Sequence, residues 1–415
     1  MKTKVVLIGM MAVFVSMRAM AVDPTISGVI VQQRRPWSRL VDIDYVLTCG
    51  EEQAMNITVS AYNGDDLLDV PEASFSGDFY NVQRGARRIV WDPTKTAYTN
   101  DASLSKFRVV LTPTPAPLYM VVDLTKSAGE AGQTEYVYEA DLTNGLWGAW
   151  VRNPVTNAGA VVESVIWTGV TTNDIYKTDK LVLRRIPAGA FLMGSPAVAV
   201  TLSRGFYAGV FEVTSAQRYN AKGDDPSLLT APSNPFNYIK YNDVRGATNN
   251  VPSIDWPRTG ASVYPSSFIG EIRDKTGFSG LDLPTEAQLE YVCRAGTTTD
   301  FNNGKTSGTS LDHMNELGWC TQNSDNMTHP VGQKAPNAWG LYDTHGNVRE
   351  WCLDWRVDTL AGGVDPDGPE SGTRRAHRGG CFNLNSSGCK STDRGSDPLT
   401  FSSDNLGLRL VMVLP

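Results

Sequence analysis

From Val22 to about Leu111, apolar and polar residues alternate in short runs: Ile26–Val31, Val41–Leu47, Ile57–Tyr62, Arg88–Trp91 and Phe107–Leu111. Clusters of Gly, Asn, Asp and Pro separate them. A period of two turns one face of each run toward a core and the other toward water, so residues 22–111 predict a small β-sandwich of immunoglobulin or fibronectin type. The segment T-P-T-P-A-P from Thr112 to Pro117 then favours an extended, semi-rigid connector. Tyr119–Asp123 and Thr134–Ala140 read as further strands, and Leu146–Val151 is rich in tryptophan. Residues 112–179 are expected to be a proline-rich linker and β extension leading into the last domain, which occupies 180–415.

That last domain opens with a strand at Leu181–Arg185 and changes character afterwards. Ser215–Asn220 reads as a helix start. Pro265–Thr276 predicts a second helix, with Ser266 or Ser267 as cap and Gly277 as stop. A third follows Thr285, whose side-chain oxygen pairs in spacing with Gln288 as a capping box, and Leu289, Val292 and Cys293 share one face. From Gly296 onward, Gly, Asn, Ser and Asp dominate and helices are expected to end. Few helices and long loops call for staples, either metal ions or disulfides.

Composition narrows the setting. At 415 residues the chain is too long for one typical core. Residues 1–21 read as a cleavable secretory signal: Lys2 and Lys4, the apolar run Val5–Met17, then Ala19-Met20-Ala21. A secreted or periplasmic chain is expected, with no membrane insertion of its mature part. The formal charge of −7 becomes more negative once Lys2, Lys4 and Arg18 are removed, which argues against nucleic acid and anionic lipid as partners. The six cysteines, Cys49, Cys293, Cys320, Cys352, Cys381 and Cys389, all lie in the mature part, and their pairing is not readable from spacing. Cys49, alone in the first domain, is expected to be a buried free thiol.

The run G-L-Y-D-T-H-G-N-V-R-E-W-C-L-D-W from Gly340 to Trp355 has neither helical nor strand periodicity. Its aromatics call for burial, and a buried irregular backbone must have its polar groups satisfied. Asp343, Asn347, Glu350 and Asp354 are candidates to face a shared cation or a side-chain network. This run resembles the signature of the formylglycine-generating enzyme family, also called sulfatase-modifying factor domains. Other matches follow in the family's order: I-P-A-G-A-F-L-M-G-S from Ile186, F-E-V-T-S-A-Q from Phe211, L-P-T-E-A-Q-L-E-Y-V-C-R-A-G-T from Leu283, T-H-P-V-G-Q-K-A-P-N from Thr328, R-G-G from Arg378 and N-L-G-L-R from Asn405. The resemblance implies a loop-rich α+β domain with a variant C-type-lectin-like fold.

It also implies a chemistry to look for. Family enzymes resemble copper-dependent oxidases in which two cysteine thiolates, five residues apart after an R-G-G turn, hold a cuprous ion while a substrate-peptide cysteine becomes formylglycine; soft thiolates suit that ion. Here Cys389 followed by Lys390 matches the second cysteine, whereas Leu384 stands where the first belongs and Cys381 occupies a usual serine position. Cys381 and Cys389 are therefore either a relocated metal or redox pair, a structural disulfide, or buried free thiols. Arg349 replaces the tryptophan usual between the signature's Asn and Glu, and a permanent cation there suits anion or sugar binding better than oxygen chemistry. By resemblance, calcium would be held by the side chains of Asp343 and Glu350 and the carbonyls of Gly346 and Val348. The four histidines, His313, His329, His345 and His377, form no metal-binding motif and read as solvated or loop-packing. A non-catalytic, calcium-stapled binding module for a glycan or protein is the expected function. A copper-dependent oxidase and a purely structural surface role are the alternatives.

Overall fold

The computed structural model describes residues 23–34, 38–50, 53–98, 104–157, 160–223, 229–246, 263–305 and 308–413. The expected signal segment lies outside them. Among the described residues, no helix is long and apolar enough to cross a membrane.

The N-terminal region is built from two antiparallel sheets. One orders the strands Thr25–Gln33, Val41–Thr48, Gly85–Trp91 and Phe75–Gly77, and the other Asp66–Leu67, Met55–Asn63 and Phe107–Pro115. Along Val41–Thr48 the alternation is realised directly: Val41, Ile43, Tyr45 and Leu47 are buried. They meet Met55, Ile57, Ile89, Trp91 and Leu111 in one core. Trp91 stacks on Phe107 at 5.1 Å, and Cys49 is a buried free thiol. The last strand continues past Leu111 to Pro115, pairing Pro113 with Ile57 and Pro115 with Met55. Two prolines are tolerated because this is an edge strand, whose outer N–H positions have no ladder partner to lose.

A six-stranded sheet forms the centre of the remaining chain, in the order Leu281–Asp282, Val411–Met412, Phe206–Gly209, Lys180–Ile186, Tyr119–Asp123 and Thr134–Val137. Tyr119–Val122 is buried without alternation, as befits a strand covered on both faces. Met120, Val122, Leu181 and Leu183 pack under the helices Ser215–Lys222 and Phe268–Thr276. Tyr119, Val121 and Val182 pack on the other side against Trp167 and Tyr342. The strand expected at Thr134–Ala140 stops at Val137, because Asp141 caps a short helix, Glu139–Thr143, by accepting from the Tyr138 N–H.

Caps set the helix starts. Thr214 with Gln217 and Thr285 with Gln288 form capping boxes, and Ser267 caps the helix that Gly277 ends at φ 75°. That helix begins at Phe268 rather than Pro265, since the Ser267 hydroxyl takes the Gly270 N–H and fixes the first turn there. Ser310–Leu317 is a helix that composition hid: Thr309 and Asp312 form another capping box, and Met314 and Leu317 are buried. A four-stranded sheet, ordered Gly395–Asp397, Arg375–Arg378, Arg349–Trp355 and Leu406–Gly407, carries the residues discussed next.

Candidate functional site: a buried charge hub beneath a polar cleft

Within the run Gly340–Trp355, His345–Gly346 pairs in parallel with Gly318–Trp319. A Cβ on Gly346 would lie 2.1 Å from the Trp319 carbonyl oxygen, and its φ of 82° is left-handed, so both close approach and conformation require glycine. His345 ties this turn to the loop that follows: Nδ1 lies 2.6 Å from the Cys389 carbonyl oxygen, and Nε2 accepts from the Asn302 N–H. That pattern is the neutral Nδ1–H tautomer.

The side chains below the turn converge on one guanidinium. Arg409, fully buried, donates through Nε to both oxygens of Glu350 at 3.1 Å and through Nη2 to Oε1 at 2.8 Å. Its remaining N–H groups reach the carbonyls of Gly209, Val210 and Tyr342. Glu212 accepts from Asn347 Nδ2 at 2.7 Å and from the Val348 N–H at 3.1 Å. Asp343 accepts from the Gly332 N–H at 2.7 Å through Oδ2, while its Oδ1 is buried without a hydrogen-bond partner. Burial pushes all three acids up. For Glu212 the nearby Asp343 and Glu350 charges add to the rise, Asp343 reaches about 6, and Glu350 is raised by burial despite Arg409.

Three carboxylates around one guanidinium leave a surplus of negative charge in a dry interior, and the orphaned Asp343 Oδ1 is a spare acceptor. Oxygen donors of this kind suit a hard dication rather than a soft one. Among the described residues no three His, Cys, Asp or Glu side chains converge closely enough to hold a metal alone, so the carbonyls of Gly346 and Val348 would have to complete such a shell. Asp354 lies apart from this group. Its carboxylate takes the Glu286 N–H at 2.6 Å, and burial followed by the Glu286 charge pushes it up to about 8.

Above the hub opens a cleft of about 370 Å³ lined by residues that include Arg349, His377, Arg378, Leu384, Asp393 and Ser396. Most of its charges are already matched. Arg378 pairs with Glu286 at 3.0 Å and Glu290 at 2.9 Å. Arg394 pairs with Glu286 at 2.7 Å, and Arg374 with Asp397 at 3.1 Å. Burial raises Glu286, yet Arg378 and Arg394 hold it below its ordinary value. Among the described residues, the half-buried Arg349 guanidinium has no hydrogen-bond or ion-pair partner.

No cysteine lines this cleft; Leu384 does. Cys381 and Cys389 lie behind it, fully buried and unpaired. Cys381 Sγ is 3.1 Å from Asn383 Oδ1. Cys389 Sγ is 3.9 Å from the Cys381 carbonyl oxygen and packs among Phe301, Met314, Leu317 and Cys320. Burial raises both thiols above their ordinary value, so neither is a ready thiolate. A cuprous ion needs deprotonated sulfur at an accessible position, and this arrangement does not fit one.

The sequence-predicted residues thus separate into two groups. Asp343 and Glu350 both lie in the hub, and Arg349 lines the cleft without the two cysteines. Sequence reading passed over Glu212 and Arg409, although each is a lone charge within an apolar run, V-F-E-V and L-R-L-V. A charge in such a setting must be buried with a partner. His377 and Arg378 were likewise not singled out as lining residues.

The profile of the sulfatase-modifying factor enzyme 1-like domain matches residues 171–414. The chain is 30% identical over 241 residues to the chaperone protein LppX of Paenibacillus barcinonensis, covering 51% of this chain and 81% of that one. It is also 30% identical over 248 residues to the formylglycine-generating enzyme of Streptomyces coelicolor, covering 51% and 75%. Among solved structures, Treponema denticola variable protein 1 aligns with a TM-score of 0.45 and 24% identity, over 57% of this chain and 96% of its own. With more than half of its length matched by that profile, and a mostly β region in front, the chain belongs to the formylglycine-generating enzyme, or sulfatase-modifying factor, family.

Proposed function

We propose that this is an exported, non-catalytic member of the family, whose cleft around Arg349 binds a glycan or protein ligand and whose N-terminal β region, of immunoglobulin or fibronectin type, acts as a spacer. The observation that carries this reading is Leu384. It lines the cleft at the position where the family's first thiol stands, while Cys381 and Cys389 lie behind the wall. A cleft without sulfur offers nothing for copper to sit on or for a substrate thiol to exchange with. The names borne by its relatives, a chaperone and an oxidase-type enzyme, leave the chemistry to be decided by the site itself.

Calcium belongs to the same reading as a structural ion. Asp343 and Glu350, with the carbonyls of Gly346 and Val348, would hold it, and its charge would offset the excess carboxylates of the hub. The test of the functional reading is aerobic incubation of the copper-loaded chain with cysteine-containing peptides, following oxygen uptake and peptide mass. No uptake and no loss of the peptide thiol are expected. Turnover that disappears in Cys389→Ser would overturn the proposal in favour of an oxidase.

A further inference from the structure

Resting on the reading of the cleft as a binding site, we propose that its ligand is an acidic glycan, recognised by a sugar carboxylate set against Arg349 with the adjacent hydroxyls taken by the polar groups of the same wall. The first ground is charge. The other arginines at the cleft are matched in place, Arg378 by Glu286 and Glu290 and Arg394 by Glu286, which leaves Arg349 as the unmatched guanidinium among the described lining residues. A planar guanidinium and a carboxylate pair through two parallel hydrogen bonds, a geometry that suits one acidic group held in a fixed orientation.

The second ground is a pair of unused polar atoms on fully buried lining side chains. Arg378 Nη2 and His377 Nδ1 both lack hydrogen-bond partners, and the two residues are 3% and 2% exposed. His377 Nε2 lies 3.0 Å from Asp397 Oδ2, and burial depresses its basicity, so the ring is neutral with Nε2–H donating and Nδ1 left as an acceptor. The wall therefore holds a spare donor and a spare acceptor beside the cation, and buried polar groups left unpaired are costly unless something meets them. A hydroxyl both gives and takes a hydrogen bond. A ligand with several hydroxyls would complete both atoms.

The third ground is what the lining lacks. Leu384 is its one apolar side chain, beside Asp393, Ser396 and three glycines. A peptide ligand would be expected to bring an apolar anchor and find an apolar pocket for it, whereas a polar cleft of about 370 Å³ suits a hydroxyl-rich unit of monosaccharide size.

The probes are an oligoglucuronate, the matching neutral oligoglucoside, an acidic peptide, and sodium sulfate, each titrated calorimetrically into the full chain. Saturable binding of the oligoglucuronate is expected, at least tenfold weaker in Arg349→Gln and only partly restored in Arg349→Lys, which returns the charge without the planar fork, with no measurable binding of the neutral sugar. Thermal unfolding of each variant checks that the fold persists, and Ser396→Ala provides a second, milder lesion with an expected loss of about twofold to fivefold. Stronger binding of the acidic peptide, equal binding of sulfate, or oligoglucuronate binding unchanged in Arg349→Gln would each overturn the proposal. The peptide-oxidation assay on the same sample separates the two ideas: silence in both assays defeats the acidic-glycan inference alone, and turnover defeats the non-catalytic reading.

Discussion

Replacing Arg409 by methionine is the sharpest perturbation of the hub. The substitution keeps an unbranched chain of similar reach and removes every polar contact: the double engagement of Glu350 at 2.8–3.1 Å and the hydrogen bonds to the carbonyls of Gly209, Val210 and Tyr342. Removing one partner of a buried ion pair costs about 3–5 kcal/mol, and here the loss also strands carbonyls and leaves Glu212, Asp343 and Glu350 facing one another. At about 2–4 °C per kcal/mol for a domain of this size, the melting temperature should fall by at least 6 °C. The contrast with Glu350→Gln makes the test specific. Because the hub has more carboxylates than guanidiniums, removing one acid relieves repulsion while Arg409 keeps Glu212 and Asp343 as counter-charges, so Glu350→Gln should cost less than half as much. Both variants are to be compared with the parent by calorimetry in excess chelator, so that metal binding does not enter. Equal destabilisation by the two, or an Arg409→Met melting temperature within 2 °C of the parent, would refute the claim of surplus negative charge.

Calcium added to chelator-treated protein should stabilise the fold by RT ln(1 + [L]/Kd), about 2.7 kcal/mol at one hundred times Kd, and so raise the melting temperature, and Asp343→Asn should remove most of the gain; a flat response in the parent would exclude the ion. Asp354 gives a pH prediction. Its folded pKa of about 8 lies above the ordinary carboxylate value near 4, so its contribution to stability is whole below that value and drains away as pH rises toward 8. Urea unfolding should therefore show Asp354→Asn gaining on the parent between pH 5 and pH 9, on the order of 3 kcal/mol, and a pH-independent difference would contradict the burial of that carboxyl. Thr285→Ala, which deletes one half of a buried capping box, should cost about 1–2 kcal/mol in the same assay.

Much of this architecture was legible because local chemistry and tertiary packing agree. The buried positions Val41, Ile43, Tyr45 and Leu47 follow a strict period of two, and the Thr285–Gln288 capping box marks a helix start that the structure keeps. The helix Ser310–Leu317 was missed because its neighbourhood reads as loop, and its cap, Thr309 with Asp312, was not weighed against that composition. The expected apolar face of Glu286–Arg294 was too narrow: all nine residues are buried, because Glu286, Glu290 and Arg294 are neutralised by one another and by Arg378 and Arg394. At the site, Asp343, Glu350 and Arg349 were visible as chemistry in a run expected to be irregular, although its second half, Arg349–Trp355, is a buried strand whose lack of alternation hid it. Glu212 and Arg409 were not, since Glu212 lies 135 residues from Asn347, which it binds, and Arg409 lies 59 residues from Glu350, separations that no local pattern encodes.

The claim on which the functional account rests is that reactive sulfur has been withdrawn from the cleft. A titration of the fully reduced, native protein with cuprous ion against a competing chelator, with thiol alkylation followed at Cys381 and Cys389 by mass spectrometry, tests it directly. The account predicts no stoichiometric uptake and both cysteines alkylated only after unfolding. One equivalent of copper bound, released by Cys389→Ser and protecting a thiol that reacts rapidly in the native state, would contradict it.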